Sequence, residues 1–259
     1  MVPDWKSLFR GSAQPESSGF TTEIDPSRLP RHVAVIMDGN GRWAHARGLP
    51  RAAGHHAGMV AMRETIRAAD DLSIGAITLY AFSTENWKRP RTEIQYLWNL
   101  LEEFFRADMD ELVERNVRVV FIGDTRKLPS YTQKTIAKSI ERTKDNSGMI
   151  VQFALNYGSR AELVDVVHRL AQQVKDGTLE PDDISEEVVT QCLSAHCVPD
   201  PDLLIRTSGD KRVSNFLLWQ IAYAELYFLD EMWPDFTKAH FYEAILAYSK
   251  RERRFGGLK

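Results

Sequence analysis

The residues of this chain best suited to chemistry stand in three short clusters, each following an apolar run. In the first, Asp38-Gly39-Asn40-Gly41-Arg42-Trp43-Ala44 comes straight after the apolar stretch His32 to Met37. Two glycines there let backbone amides turn toward a ligand, and a following helix start adds the positive end of its dipole. Together they make an anion cradle. Arg42, Arg51 and His55 fall within 14 positions, with His56 alongside. Such fixed cationic donors suit the oxygens of a diphosphate. Asp38 is unfavourable beside an anion unless a divalent cation bridges them, as Mg²⁺ does with one or two carboxylates plus substrate phosphates.

The second cluster is Ser83-Thr84-Glu85-Asn86-Trp87-Lys88-Arg89-Pro90-Arg91. A strand that delivers polar groups, a Trp and cations into a Pro-punctuated loop has the makings of a lid. The third is Ile205-Arg206-Thr207-Ser208-Gly209, followed by Arg212-Val213-Ser214-Asn215. Its guanidinia and hydroxyls make a second anion site. Glu225 lies within an otherwise apolar stretch, where an unpaired carboxylate is costly, so it either pairs with a cation or holds a metal. Asn156-Tyr157-Gly158-Ser159-Arg160 reads as a turn and helix cap.

Two anion sites, a metal-suited carboxylate and no general nucleophile pattern imply two phosphorylated substrates. No G-x-x-x-x-G-K-[ST] loop or kinase signature is present. Diphosphate as a leaving group therefore fits better than phosphoryl transfer. Gly39-x-Gly41-x-x-Ala44 has the form of a dinucleotide fingerprint, but the helix is interrupted at Gly48-Leu49-Pro50 and the position 20 after Ala44 is Glu64, inside a helical pattern. That disfavours a nicotinamide cofactor.

The elements that must position these clusters follow from hydrophobic period. Strands are expected at His32 to Met37, Ala76 to Phe82, Val117 to Ile122, Met149 to Leu155, Leu203 to Ile205 and Phe216 to Gln220. Helical spacing appears around Met59, Met62, Ile66 and Ala69, after a Thr92-x-x-Gln95 capping box, from about Ser130, after Ser159-x-x-Glu162, and from about Thr237 to Arg253. The expectation is one α/β domain over residues 30–259, with about six mostly parallel strands covered by helices on both faces. Residues 1–29, rich in Ser, Gly, Pro and Thr, read as a flexible extension. In such a sheet ligands bind beyond the carboxyl ends of the strands, where all three clusters lie.

The 259 residues are 43% hydrophobic and 27% charged, with 33 basic against 36 acidic side chains and a net charge of -3. This excludes wholesale disorder, and the lack of a cationic excess argues against nucleic-acid binding. Cys192 and Cys197 lack companion ligands for zinc and read as reduced thiols. The first residues carry no signal-peptide pattern, which leads to the expectation of a cytoplasmic protein. The longest nearly apolar run, Phe216 to Leu229, is 14 residues, too short for the roughly 20 that span a bilayer. It reads as buried strand and core, or as a subunit interface.

Several long segments, in order, resemble the cis-prenyltransferases: His32 to Ala44, Tyr80 to Trp87, Ile205 to Gly209, Ser214 to Glu225 and Arg251-Glu252-Arg253-Arg254-Phe255-Gly256-Gly257. The resemblance runs from about residue 30 to the end. No DDxxD motif occurs, since Asp70-Asp71 and Asp182-Asp183 lack the third Asp, which separates the chain from the all-helical trans-prenyl synthases.

The resemblance implies a Mg²⁺-dependent transferase that condenses isopentenyl diphosphate repeatedly with an allylic diphosphate such as farnesyl diphosphate. The product would be a long-chain cis-polyprenyl diphosphate, precursor of a cell-wall glycan carrier. A short-chain synthase and a non-catalytic subunit are the alternatives. Implied for the allylic diphosphate are Gly39, Asn40, Gly41, Arg42, Trp43, Arg51 and His55, with Asp38 binding Mg²⁺ and assisting departure of diphosphate. Arg206, Arg212, Val213 and Ser214 would hold isopentenyl diphosphate, while Ser83, Thr84, Glu85, Asn86, Trp87 and Arg89 close over the pair. Asn86 stands where a proton acceptor is proposed, but a neutral amide is a poor base and better orients water or a diphosphate oxygen. Glu225 matches a metal-associated position near a homodimer interface. Lys211 and Thr84 depart from the commonest pattern without removing a required charge. An apolar tunnel is implied, with Met59, Met62, Ala81, Leu97, Leu101, Phe104 and Met149 as candidate lining and Met149 or Phe153 at its end. Product release would bring peripheral contact with the inner face of the plasma membrane.

Overall fold

Six apolar runs build one wholly parallel sheet in the computed structural model, which describes residues 24–195 and 197–252. The strands are β1 (His32–Ile36), β2 (Ala76–Ser83), β3 (Arg118–Ile122), β4 (Ile150–Tyr157), β5 (Leu203–Arg206) and β6 (Glu225–Phe228), in the order β3-β4-β2-β1-β5-β6. Between and after them run α1 (Asn40–Ala46), α2 (Arg51–Asp71), α3 (Arg91–Glu114), α4 (Ser130–Thr143), α5 (Ser159–Lys175), α6 (Glu186–Cys192) and α7 (Lys238–Ser249). Alternation along β1 sends Val33 and Val35 into the larger core with α2, α3 and α7. Ala34 and Ile36 join the smaller core on the opposite face. The α/β reading therefore holds, as does the count of strands.

One strand differs from the expected set. Phe216 and Leu217 are fully buried, as their composition requires, but they lie in a run of turns. Ser214, Asn215 and Leu217 have φ of 48°, 62° and 47°, a left-handed backbone that no strand ladder accommodates. Phe216 instead stacks on Tyr80, ring centroids 4.3 Å apart. The sixth strand is Glu225–Phe228, parallel to β5.

Two expected caps are also replaced. α3 follows Pro90 with no side-chain cap, and α5 follows Gly158 in the same way. The Glu162 carboxylate is recruited elsewhere, accepting from the Tyr157 hydroxyl at 2.6 Å and from the Ser194 backbone at 3.0 Å. The interruption before α2 is as read, with Gly48 at φ 64° and Pro50 as its N-cap. Of the N-terminal extension, residues 1–23 lie outside the described residues, as do Arg253 to Gly257 of the last resembling segment. Ile24 is buried in the larger core and Leu29 packs against it.

Candidate active site

Parallel register sets Ile36 of β1 beside Arg206 of β5, so the first and third clusters emerge from adjacent strand ends. Gly39 caps α1 at φ 107°, a conformation that strains any L side chain. A Cβ there would also come within 2.8 Å of the Ser208 Oγ. The turn directs the Gly39 N–H to Asp38 Oδ1 at 2.7 Å. Oδ2 of the Asp38 carboxylate accepts from Arg206 Nη2 at 2.8 Å, and Oδ1 also pairs with Arg42 at 3.2 Å. α2 is pressed against this turn at Gly54, where a Cβ would lie 2.0 Å from the Asn40 carbonyl oxygen.

The Arg206 side chain is only 3% exposed. It donates to Ser214 Oγ at 2.6 Å and to the Arg212 carbonyl. Asp210 draws the neighbouring guanidinia together, lying 3.0 Å from Arg42, 3.6 Å from Arg206 and 2.5 Å from Arg212. The hydrogen bond from Arg212 holds the Asp210 carboxyl below its ordinary range.

A second carboxylate collects the remaining cations. Glu93, in the first turn of α3, accepts from Arg51 Nε at 3.1 Å and from Arg89 Nη1 at 3.2 Å. His55 Nε2 lies 3.1 Å from the same carboxylate. Burial pushes the His55 imidazole down, which favours a neutral ring. Burial alone would raise the Glu93 carboxyl, but the bonds from His55 and Arg51 carry it below the ordinary range.

The lid segment forms a short 3₁₀ turn, Thr84–Lys88, closed by a capping box in which Asn86 Oδ1 accepts from the Ser83 N–H at 3.0 Å. Trp87 donates its indole N–H to Asn156 Oδ1 at 2.7 Å and meets Phe82 edge to face. Asn156, read from sequence as part of a turn and helix cap, thus ties this 3₁₀ turn to the end of β4. Glu85 accepts from Thr84 at 3.1 Å and from Asn215 at 3.1 Å, which joins the second and third clusters.

A cavity of about 250 Å³ runs from this polar rim into the larger core. Asp38 to Arg42, Arg51, His55, Asn86 and Arg89 border its mouth. Met59, Met62, Ala81, Leu97 and Leu101 line it, as expected of a tunnel. Phe104, Met149 and Phe153 are buried in the core and are not part of that lining. Trp43, within α1, is buried and donates to Asp235 at 2.7 Å, and the Val213 carbonyl accepts from the Phe216 amide at 3.0 Å. Neither of these two borders the cavity.

Asp38 and Asp210 lie 3.2 and 3.0 Å from the same Arg42 nitrogen. This donor set fits Mg²⁺, which takes one or two carboxylates and completes its shell with water and phosphate oxygens. Among the described residues no group of three or more His, Cys, Asp or Glu could enclose a metal. Glu225 does not join Asp38 within the chain. It pairs with Leu203 in the sheet, at the far end of β5 from Arg206, and its carboxylate accepts from Arg251 at 2.7 Å. Arg251 is thus its cationic partner within the chain.

Sequence reading missed Glu93 and Asp210. Each lies within a cluster or next to one, but an isolated carboxylate among arginines carries no motif. Only the fold brings Glu93 to Arg51 and His55, 42 and 38 positions away.

The undecaprenyl diphosphate synthase family model matches residues 36–256. An isoprenyl transferase from Shouchella clausii is 50% identical over 254 residues, covering 98% of this chain and 97% of that protein. One from Bacillus subtilis is 48% identical over 259 residues, covering 100% and 99%. Among solved structures, lavandulyl diphosphate synthase from Lavandula x intermedia, in complex with dimethylallyl diphosphate, superposes with a TM-score of 0.87 at 36% identity. It covers 89% of this chain and 100% of its own. A probable undecaprenyl diphosphate synthase from Campylobacter jejuni gives 0.73 at 35% identity, covering 88% and 99%.

Proposed function

Since this chain belongs to the undecaprenyl diphosphate synthase family and is a prenyltransferase, we propose that it lengthens an allylic diphosphate by repeated addition of isopentenyl diphosphate with cis geometry. The observation that carries this reading is a pair of cation clusters, one on Glu93 and one on Asp210 beside Asp38. Of these, Arg42, Arg51 and Arg89 border an apolar cavity, while Arg206 and Arg212 stand outside its lining. One cluster is enough for a single diphosphate; two match a reaction between two of them.

In each cycle the allylic C1–O bond to diphosphate breaks and C1 bonds to C4 of isopentenyl diphosphate. C2 of the latter then loses a proton. Gly39 to Arg42, Arg51 and Arg89 bind and orient the allylic diphosphate, while Arg206, Arg212 and Ser214 hold the isopentenyl group. Held by Asp38, with Asp210 near, Mg²⁺ would supply charge neutralisation for the departing diphosphate. The Asn86 oxygen is committed to the Ser83 amide, which favours its amide as an orienting group rather than a base. Trp87 and Arg89 close the mouth and keep water from the allylic cation.

The growing hydrocarbon enters the cavity between α2 and α3. A long product, serving as a cell-wall glycan carrier precursor, requires the core beyond Leu101 to yield. A short product is the second reading, favoured by the absence of Phe104 and Met149 from the cavity lining. Edge strand β6 carries exposed Leu226 and follows Tyr223, 72% exposed, which supports a homodimer through this edge. No helix among the described residues is long and apolar enough to cross a membrane, so contact with the bilayer at product release would be peripheral. Incorporation of labelled isopentenyl diphosphate into extractable lipid, dependent on an allylic primer, tests the reading. Primer-independent or absent incorporation would overturn it.

A further inference from the structure

One carboxylate, set behind the residues of the cavity mouth, takes no direct part in binding the allylic diphosphate. Glu93 has 11% of its side chain exposed, yet it touches two arginines and a histidine from two places in the chain. Arg51 and His55 come from α2, and Arg89 from the end of the lid. Glu93 itself stands in the first turn of α3, its N–H bonded to the Pro90 carbonyl at 3.0 Å.

How Arg51 is held is the informative detail. Its Nε and Nη2 face the two Glu93 oxygens at 3.1 and 3.3 Å. The plane of the guanidinium lies on the cradle, since a Cβ on Gly41 would sit 2.9 Å from both Cζ and Nη1. The Nε–Nη2 edge is therefore spoken for, while Nη1 makes no bond to Glu93. Arg89 likewise meets Glu93 through Nη1 alone.

We propose that Glu93 is a positioning residue for the allylic substrate: it grips Arg51, Arg89 and His55 from behind, so that their remaining donors converge on the diphosphate in the cradle. This rests on the assignment of that cradle to the allylic diphosphate. Without the carboxylate, the two guanidinia repel each other and spread into solvent, the His55 ring loses its partner, and the anion must reorder them on arrival. The same grip ties the lid to α2 through Arg89, so lid and cradle are set together.

A carboxylate in the first turn of a helix also complements the helix dipole, and a salt bridge also staples two helices. Neither role discriminates between the two substrates. The test measures both Michaelis constants for wild type, Glu93→Gln, Arg51→Ala and the double variant. Binding of farnesyl diphosphate is followed separately by tryptophan fluorescence, which needs no turnover. Glu93→Gln should raise the allylic KM and Kd about 10-fold or more, because misplaced donors lose most of their advantage. The isopentenyl KM should stay within about twofold.

Arg51→Ala should do the same, and the double variant should be little worse than the worse single one. Glu93→Asp, which keeps the charge, should recover part of the loss. Unchanged constants, an equal rise for both substrates, or additive effects would overturn the proposal. Wild-type protein that binds farnesyl diphosphate without condensing it would defeat the proposed reaction, while the binding measurements would still decide the role of Glu93.

Discussion

Arg206, the last residue of β5, donates to the Asp38 carboxylate across 2.8 Å, just beyond the end of the neighbouring β1. The bond joins the two clusters in which the substrates are placed, so each partner can be perturbed with a different expected result.

Removing the carboxylate frees Arg206 and Arg42 beside an anion site and takes away the metal-suited group. Asp38→Ala should therefore lower kcat by about 10²–10³-fold while neither KM rises. Steady-state kinetics with each substrate varied in turn checks this. A KM increase as large as the loss in kcat would make Asp38 a binding or folding residue.

Removing the cation has the opposite profile. Arg206→Ala should raise the KM for isopentenyl diphosphate more than that for the allylic partner, because Ser214 and the Arg212 carbonyl lose their shared donor. It should also destabilise the fold by about 2 kcal/mol, less than for a fully buried pair because Asp38 keeps contact with solvent. Kinetics and urea denaturation of the same variant measure the two effects. A selective rise in the allylic KM would exchange the site assignments.

Close approach of α2 to the cradle turn makes Gly54 intolerant of a side chain. A Cβ would stand 2.0 Å from the Asn40 carbonyl oxygen, an atom of the backbone that cannot swing aside. Gly54→Ala should cost about 3 kcal/mol or more of stability and distort the cradle. Gly177→Ala supplies the contrast: its Cβ meets nothing within 4 Å, so only the strain of its φ of 70° should register.

His32 predicts a pH dependence of stability. Its ring is buried between the Pro199 carbonyl at 2.6 Å and the Thr78 hydroxyl at 2.7 Å, and burial pushes the imidazole down to about 4. The unfolded chain takes up this proton near the ordinary value of about 6.5, whereas the folded chain resists it. The His32 contribution is thus fully present above about pH 6.5 and is lost as pH falls toward about 4, amounting to roughly 3 kcal/mol at the acid end. Urea midpoints at pH 7.5 and 5 should differ, and His32→Gln should flatten that difference. An equal slope in wild type and variant would remove His32 as the cause.

Much of the scaffold was legible in the sequence because its signals are local. β1 to β4 are short apolar runs separated by helical spacing, and that alternation forces a parallel sheet with its ligand end at the strand carboxyl ends. Asp38, Arg42 and Arg206 were findable for the same reason: Arg206 ends β5, and Asp38 and Arg42 lie in the turn and helix that follow β1. What escaped was conformation without a compositional mark. Phe216 and Leu217 are as apolar as strand residues, and only the left-handed backbone at Ser214, Asn215 and Leu217 removes them from the sheet. Glu93 and Asp210 escaped because their meaning lies in partners that the fold supplies. Glu225 was singled out for standing among apolar residues, and its partner Arg251 lies 26 positions on.

The central claim, that two diphosphate sites around Asp38 join prenyl units into a chain, is tested most directly by the products. Purified protein is incubated with Mg²⁺, farnesyl diphosphate and labelled isopentenyl diphosphate, and the dephosphorylated lipids are chromatographed, with Asp38→Ala alongside. Labelled prenols longer than the primer are expected from wild type and nearly none from the variant. Folded wild-type protein that incorporates no label, or an Asp38→Ala protein that makes the same ladder at the same rate, would contradict it.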